Sequence, residues 1–69
     1  MERIPVTSKN IQSVGYDAES QTLEVEFNTG ALYQYANVSQ EIFDGFIGSD
    51  SKGKYFAANI KGRYSFSKL

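Results

Sequence analysis

The chain has 69 residues, 41% of them hydrophobic and 14% aromatic, with no cysteine, no histidine and a net charge of −1. That length holds one domain, 1–69, and the composition excludes disulfides, thiolate metal sites and an imidazole base. Residues 1–50 carry all eight carboxylates against two basic side chains, a balance of −6, while residues 51–69 carry five basic side chains and no acid.

The N-terminus, Glu2-Arg3-Ile4-Pro5-Val6, lacks the apolar run of a signal peptide. No stretch approaches the roughly 18 apolar residues of a membrane span. A soluble cytoplasmic protein with no membrane partner is therefore expected.

Ile11 to Tyr16 reads as a first strand, over about 10–17, and Asp17-Ala18-Glu19-Ser20 supplies turn formers after it. Thr22 to Phe27 alternates polar and apolar without a fault, which is the pattern of a strand with one wet face. Asn28-Thr29-Gly30 then forms a three-residue hairpin loop, its glycine in the left-handed conformation. Ala31 to Tyr35 returns as a third strand, so the second and third span about 21–28 and 31–37. This closure pairs Val25 with Tyr33 and Leu23 with Tyr35 on one face and sends Glu24 and Glu26 to the other. Tyr16 opposite Leu23 places Val14 opposite Val25, which leaves Ile11 out of phase unless a bulge lies near Gln12-Ser13.

After Val38 the period changes. Ser39 is a good N-cap, and Ile42, Phe43, Phe46 and Ile47 fall within an arc of about 140°. Gly48 suits the position just past this helix, about 40–47. A second helix, about 51–61, puts Phe56, Ala57 and Ile60 on its apolar side and ends at Gly62. Arg63 to Ser67 alternates again, as a short edge strand or an ordered tail. The expected fold class is α+β, a three-stranded antiparallel meander with two short helices packed on one face.

These segments resemble the KTSC domain, a family named for the C-terminal segment of some lysyl-tRNA synthetases and also found as small bacterial and phage proteins. The resemblance runs from about Ser8 to Lys68. It rests on Ile11-x-x-Val14-Gly15-Tyr16-Asp17, on Leu23-x-Val25-x-Phe27 followed by Gly30, and on Tyr33-x-Tyr35. Ser51-Lys52-Gly53-Lys54-Tyr55-Phe56 and Ile60-Lys61-Gly62-x-Tyr64 complete it. Ser39 stands where members often have proline; both residues start helices. Through the synthetase association the resemblance implies RNA as a partner. It carries over no catalytic or binding residues.

Read from the residues themselves, Lys52, Lys54, Lys61, Arg63 and Lys68, interleaved with Tyr55, Tyr64 and Phe66, are the nucleic-acid candidates. Cations would meet phosphates and the rings would stack on unpaired bases. Against this, the pI of 5.2 lies below the value above about 9 of dedicated binders, and lysines on an outer helix face are ordinarily just solvated. Ser51 and Gly53, at the start of the second helix, could hold an anion, with plain capping as the simpler account. Tyr33 and Tyr35 are a stacking platform or core packing, and their shared face with Val25 and Leu23 favours packing. Glu24, Glu26, Asp17 and Glu19 read as solubilising groups facing solvent more readily than as a cation site. No metal or other cofactor is expected.

Catalysis is disfavoured, since a fold this small is expected to lack a pocket of several hundred Å³. Two functions follow. One is a non-enzymatic module for tRNA-like or single-stranded RNA; the alternative is a protein-interaction or self-association module.

Overall fold

A computed structural model describes residues 2–69. Five strands and two helices follow one another along the chain: β1 (Arg3–Pro5), β2 (Ile11–Asp17), β3 (Thr22–Phe27), β4 (Leu32–Tyr35), α1 (Gln40–Gly48), α2 (Lys52–Asn59) and β5 (Phe66–Lys68). The strands form one antiparallel sheet in the order β1-β2-β3-β4-β5. The α+β class holds, but the expected three-stranded meander is a five-stranded one. β1 was absent from the sequence reading because three residues carry no period. β5 is the short edge strand that Arg63–Ser67 suggested, shifted to Phe66–Lys68.

The central register is the one that side-chain alternation demands. Tyr16 pairs with Leu23, Val14 with Val25, Val25 with Tyr33 and Leu23 with Tyr35. The register shifts between Ile11 and Ser13. This bulge brings Ile11 back to the core, where it is 1% exposed. In the β3–β4 loop the Phe27 amide donates to the Ala31 carbonyl at 2.8 Å and the Gly30 amide to the Phe27 carbonyl at 2.9 Å. Gly30 takes φ +92°, a left-handed conformation that costs glycine little.

Ser39 caps α1 by accepting from the Ile42 amide, and Ser51 caps α2 by accepting from the Lys54 amide. Gly48 corrects the expectation: it is the last residue of α1, and Ser49 is the C-cap. α2 also stops earlier than expected, at Asn59. Ile60 and Lys61 both donate to the Phe56 carbonyl, and Gly62 makes the exit at φ +77°.

Both helices close over the same face of the sheet. Phe43 stacks on Tyr16 of β2 with centroids 4.7 Å apart, and Phe56 meets Phe27 and Tyr35 edge-on at 5.4 and 5.6 Å. Phe46, Ile60, Leu23, Val25 and Val38 are 0% exposed beneath them. The other face is polar. There Arg3 is clasped by Glu24 at 2.6 Å and lies 3.7 Å from Glu26, and Glu26 accepts from the Ser13 hydroxyl. Glu24 therefore does not simply face solvent as the alternation alone suggests; a strand that the period could not reveal lies alongside. No helix among the described residues is long and apolar enough to cross a membrane.

Candidate binding cleft

The helices do not cover the sheet completely. Toward the β4–β5 side an open cleft of about 750 Å³ separates α2 from the strands. This corrects the expectation that so short a chain leaves no room for a pocket. The volume lies within the range of about 300–1,000 Å³ usual for ligand sites.

Five aromatic rings form much of the apolar lining. Phe27, Tyr33 and Tyr35 come from the core face of β3 and β4, and Phe56 from α2. Phe66 of β5 pairs with Tyr35 and so stands on the same face. The rings meet edge to face: Phe27 with Tyr33 at 5.5 Å and 78°, Tyr33 with Phe66 at 5.7 Å and 78°. Phe66 remains 59% exposed. Tyr33 and Tyr35 thus pack, as the alternation implies, and also line the opening.

Their hydroxyls distinguish them from other tyrosines. Tyr16 donates to the Val38 carbonyl and Tyr55 to the Ile42 carbonyl. The Tyr33 and Tyr35 hydroxyls make no hydrogen bond to another described residue. Burial, and secondarily the neighbouring Tyr33, pushes the Tyr35 phenol above its ordinary pKa, so it is a neutral donor at physiological pH.

The charged rim is one-sided. Lys9, from the β1–β2 loop, and Lys61, from the turn after α2, both line the cleft, and no carboxylate does. Lys68 pairs with Tyr33 and therefore leans to the same face of the sheet. Ion pairs among the described residues are confined to Arg3, with Glu24 and Glu26, so none of the five late cations is neutralised by one.

The residues singled out from the sequence fall into two groups. Lys61 and Gly53 line the cleft, and Lys54, next to Gly53 on α2, is exposed. The others stand elsewhere. Tyr55 stacks on Phe46 at 5.8 Å between the helices. The Lys52 ammonium donates to the Ser49 carbonyl at 2.5 Å, and the Arg63 Nε to the Ala58 carbonyl at 2.9 Å. Tyr64 packs, half-buried, against the core. The Ser51 hydroxyl accepts from the Lys54 amide, and the Ser51 amide donates to the Ser49 hydroxyl, as in ordinary capping. Lys9 and Phe27 lie outside the candidates that the sequence offers, whereas Phe66 is among them. Lys9 is remote in sequence from the basic segment, and only the fold brings it alongside. Among the described residues no group of three or more His, Cys, Asp or Glu could hold a metal ion.

The family model of the KTSC domain matches residues 7–64. The chain belongs to the KTSC domain family. An uncharacterised protein of Stutzerimonas stutzeri is 45% identical over 64 residues, covering 93% of this chain and 90% of the relative. The crystal structure of a KTSC domain protein from Yersinia pestis superposes with a TM-score of 0.97 at 37% identity, covering 99% of this chain and 96% of the other. A lysine–tRNA ligase of Nostoc punctiforme is 34% identical over 59 residues, which are 86% of this KTSC domain but 10% of the ligase. The KTSC domain is thus a unit that stands nearly alone in some proteins and forms a small part of others.

Proposed function

We propose that this KTSC domain is a small RNA-binding module that engages single-stranded or looped RNA through the aromatic cleft and its basic rim. The observation that carries the reading is the combination of the exposed Phe66 ring, with the half-buried Phe27 and Tyr33 beside it, and lysines but no carboxylate at the opening. Unpaired bases offer flat faces for the rings, and their phosphates meet the lysines. The match to a segment of lysine–tRNA ligases adds an RNA context to a relative of this domain. Lys9, Lys54, Lys61 and Lys68 supply the cations in this reading, with Lys52 and Arg63 further from the opening. The overall charge of −1 is not concentrated at the opening: none of the eight carboxylates lines the cleft, and Glu24 and Glu26 lie on the opposite face of the sheet.

The test is titration of a labelled single-stranded RNA at two salt concentrations. Binding that weakens on adding salt, with a log–log slope near −2 for about three phosphate contacts, supports the proposal. No binding at low salt ends it.

A second reading, docking of a protein along the free edge of β5, is favoured by one observation: Phe66 and Leu69 are 59% and 60% exposed there.

A further inference from the structure

Resting on the RNA reading, we infer that the cleft seats a single unstacked nucleobase against the Phe66 ring, with the flanking phosphates held by Lys9 and Lys61. The first ground is ring geometry. Phe66 sits 5.7 Å from Tyr33 and 5.6 Å from Tyr35, yet stays 59% exposed. An aromatic ring held upright by its neighbours, with much of its surface open to a cleft, matches a flat guest. The second ground is polar. The Tyr33 and Tyr35 hydroxyls have no partner among the described residues. The Asn10 amide nitrogen faces the cleft beside Gly53, 3.6 Å from where a β-carbon there would lie. A fatty-acid chain would use the apolar walls but leave these groups unsatisfied. A base edge carries the donors and acceptors they need. The third ground is charge. Lys9 and Lys61 approach from different elements, and no acid stands between them. Two separate cations suit a chain that enters and leaves with a phosphate on each side of one base.

Gly53 belongs to the same arrangement. A β-carbon there would meet the Asn10 amide nitrogen at 3.6 Å, an ordinary van der Waals contact.

Aromatic-ring NMR of the full chain distinguishes the occupants. Adenosine or uridine 5′-monophosphate should shift the Tyr33, Tyr35 and Phe66 ring signals, whereas ribose 5-phosphate should not. Phe66→Ala should weaken single-stranded RNA binding about tenfold, the scale of one lost base stack, and leave the salt slope unchanged. That variant removes an exposed ring, so the fold should persist. Tyr35→Phe, which deletes only the hydroxyl, should weaken mononucleotide binding while retaining the ring shifts. RNA binding with a normal salt slope, silent rings and an unaffected Phe66→Ala variant would overturn the seated base and leave the RNA reading standing. Rings that respond to decanoate and not to nucleotides would overturn it in favour of an aliphatic anion. No RNA binding at low salt together with silent rings would remove both.

Discussion

Arg3 on β1 and Glu24 on β3 are joined across an intervening strand, Nη2 to Oε1 at 2.6 Å. The residue between them is Gly15, which pairs with Arg3 on one side and with Glu24 on the other. A glycine there leaves the outer face bare, and the guanidinium lies over it. Gly15 is buried as a result, and the Glu24 side chain is only 13% exposed. Gln34 of β4 donates to the other Glu24 oxygen at 3.3 Å, so the carboxylate links two strands, β1 and β4, to its own.

Arg3→Met should therefore cost about 1–3 kcal/mol, because it leaves a half-buried carboxylate without its cation. Adding Glu24→Gln should recover part of that loss, since the stranded charge then disappears. Urea denaturation of the two single variants and the double variant measures the coupling. Strict additivity would show that the pair contributes nothing beyond its separate residues.

Gly45 marks the closest approach of the helices. A β-carbon there would overlap the Tyr55 hydroxyl and lie 3.0 Å from the ring carbon that bears it. Helix propensity alone predicts that Gly45→Ala stabilises α1 by up to about 1 kcal/mol. The overlap reverses the sign, because Tyr55 is fixed by its stack on Phe46 and by its bond to the Ile42 carbonyl. A net loss of about 1–3 kcal/mol is expected. Tyr55→Phe in the same chain should relieve some of it. If Gly45→Ala raises the urea midpoint, the helices are free to separate and the tight contact is unimportant.

The contrast between these two contacts shows what the sequence discloses. The β2–β3–β4 meander was legible because alternation sets both the face and the register, and because Asn28-Thr29-Gly30 can close only a short loop. Even the bulge near Gln12-Ser13 followed, from the demand that Ile11 be buried. β1 was not legible: Arg3-Ile4-Pro5 has no period, and what holds its side chain is an ion pair over Gly15. The cleft was hidden for a different reason. It is a space enclosed by α2, the strands and the β1–β2 and β3–β4 loops, and no residue pattern encodes a gap. The basic, aromatic segment pointed toward Lys54, Lys61 and Phe66, but Lys9 joins them only through the fold. Tyr55 and Lys52 have the right chemistry for RNA, yet local contacts engage both.

Tyrosine ionisation should make stability fall at alkaline pH. The Tyr16 phenol is raised above its ordinary value by burial first and then by the Asp44 and Asp17 carboxylates; Tyr35 is raised as well. In the unfolded chain both ionise near pH 10. The folded state holds its protons longer, so its advantage is complete below about pH 10 and is lost as pH rises through the higher folded values. Tyr16 also donates to the Val38 carbonyl, which a phenolate cannot do. Tyr16→Phe should cost about 0.5–1.5 kcal/mol at neutral pH and should flatten the decline above pH 10. Urea midpoints from pH 7 to 11 test both effects. A variant that declines as steeply as the parent would assign the whole alkaline effect to other groups.

The lysines offer the sharpest test of the proposed RNA-binding surface, because the structure sorts them by position rather than by sequence. Lys9 and Lys61 line the cleft and have no carboxylate partner, whereas the Lys52 ammonium is held by the Ser49 carbonyl. If the cleft is the RNA surface, Lys9→Gln and Lys61→Gln should each weaken binding. Each should also make the salt slope shallower by about 0.7, the value for one phosphate contact on a single strand. Lys52→Gln should leave both nearly unchanged, although it removes the same charge from the same basic segment. Equal effects from all three would mean that RNA senses only net charge, and the cleft would lose its special role. An effect from Lys9 is the most telling outcome, since no reading of the C-terminal segment alone would include a lysine so near the N-terminus.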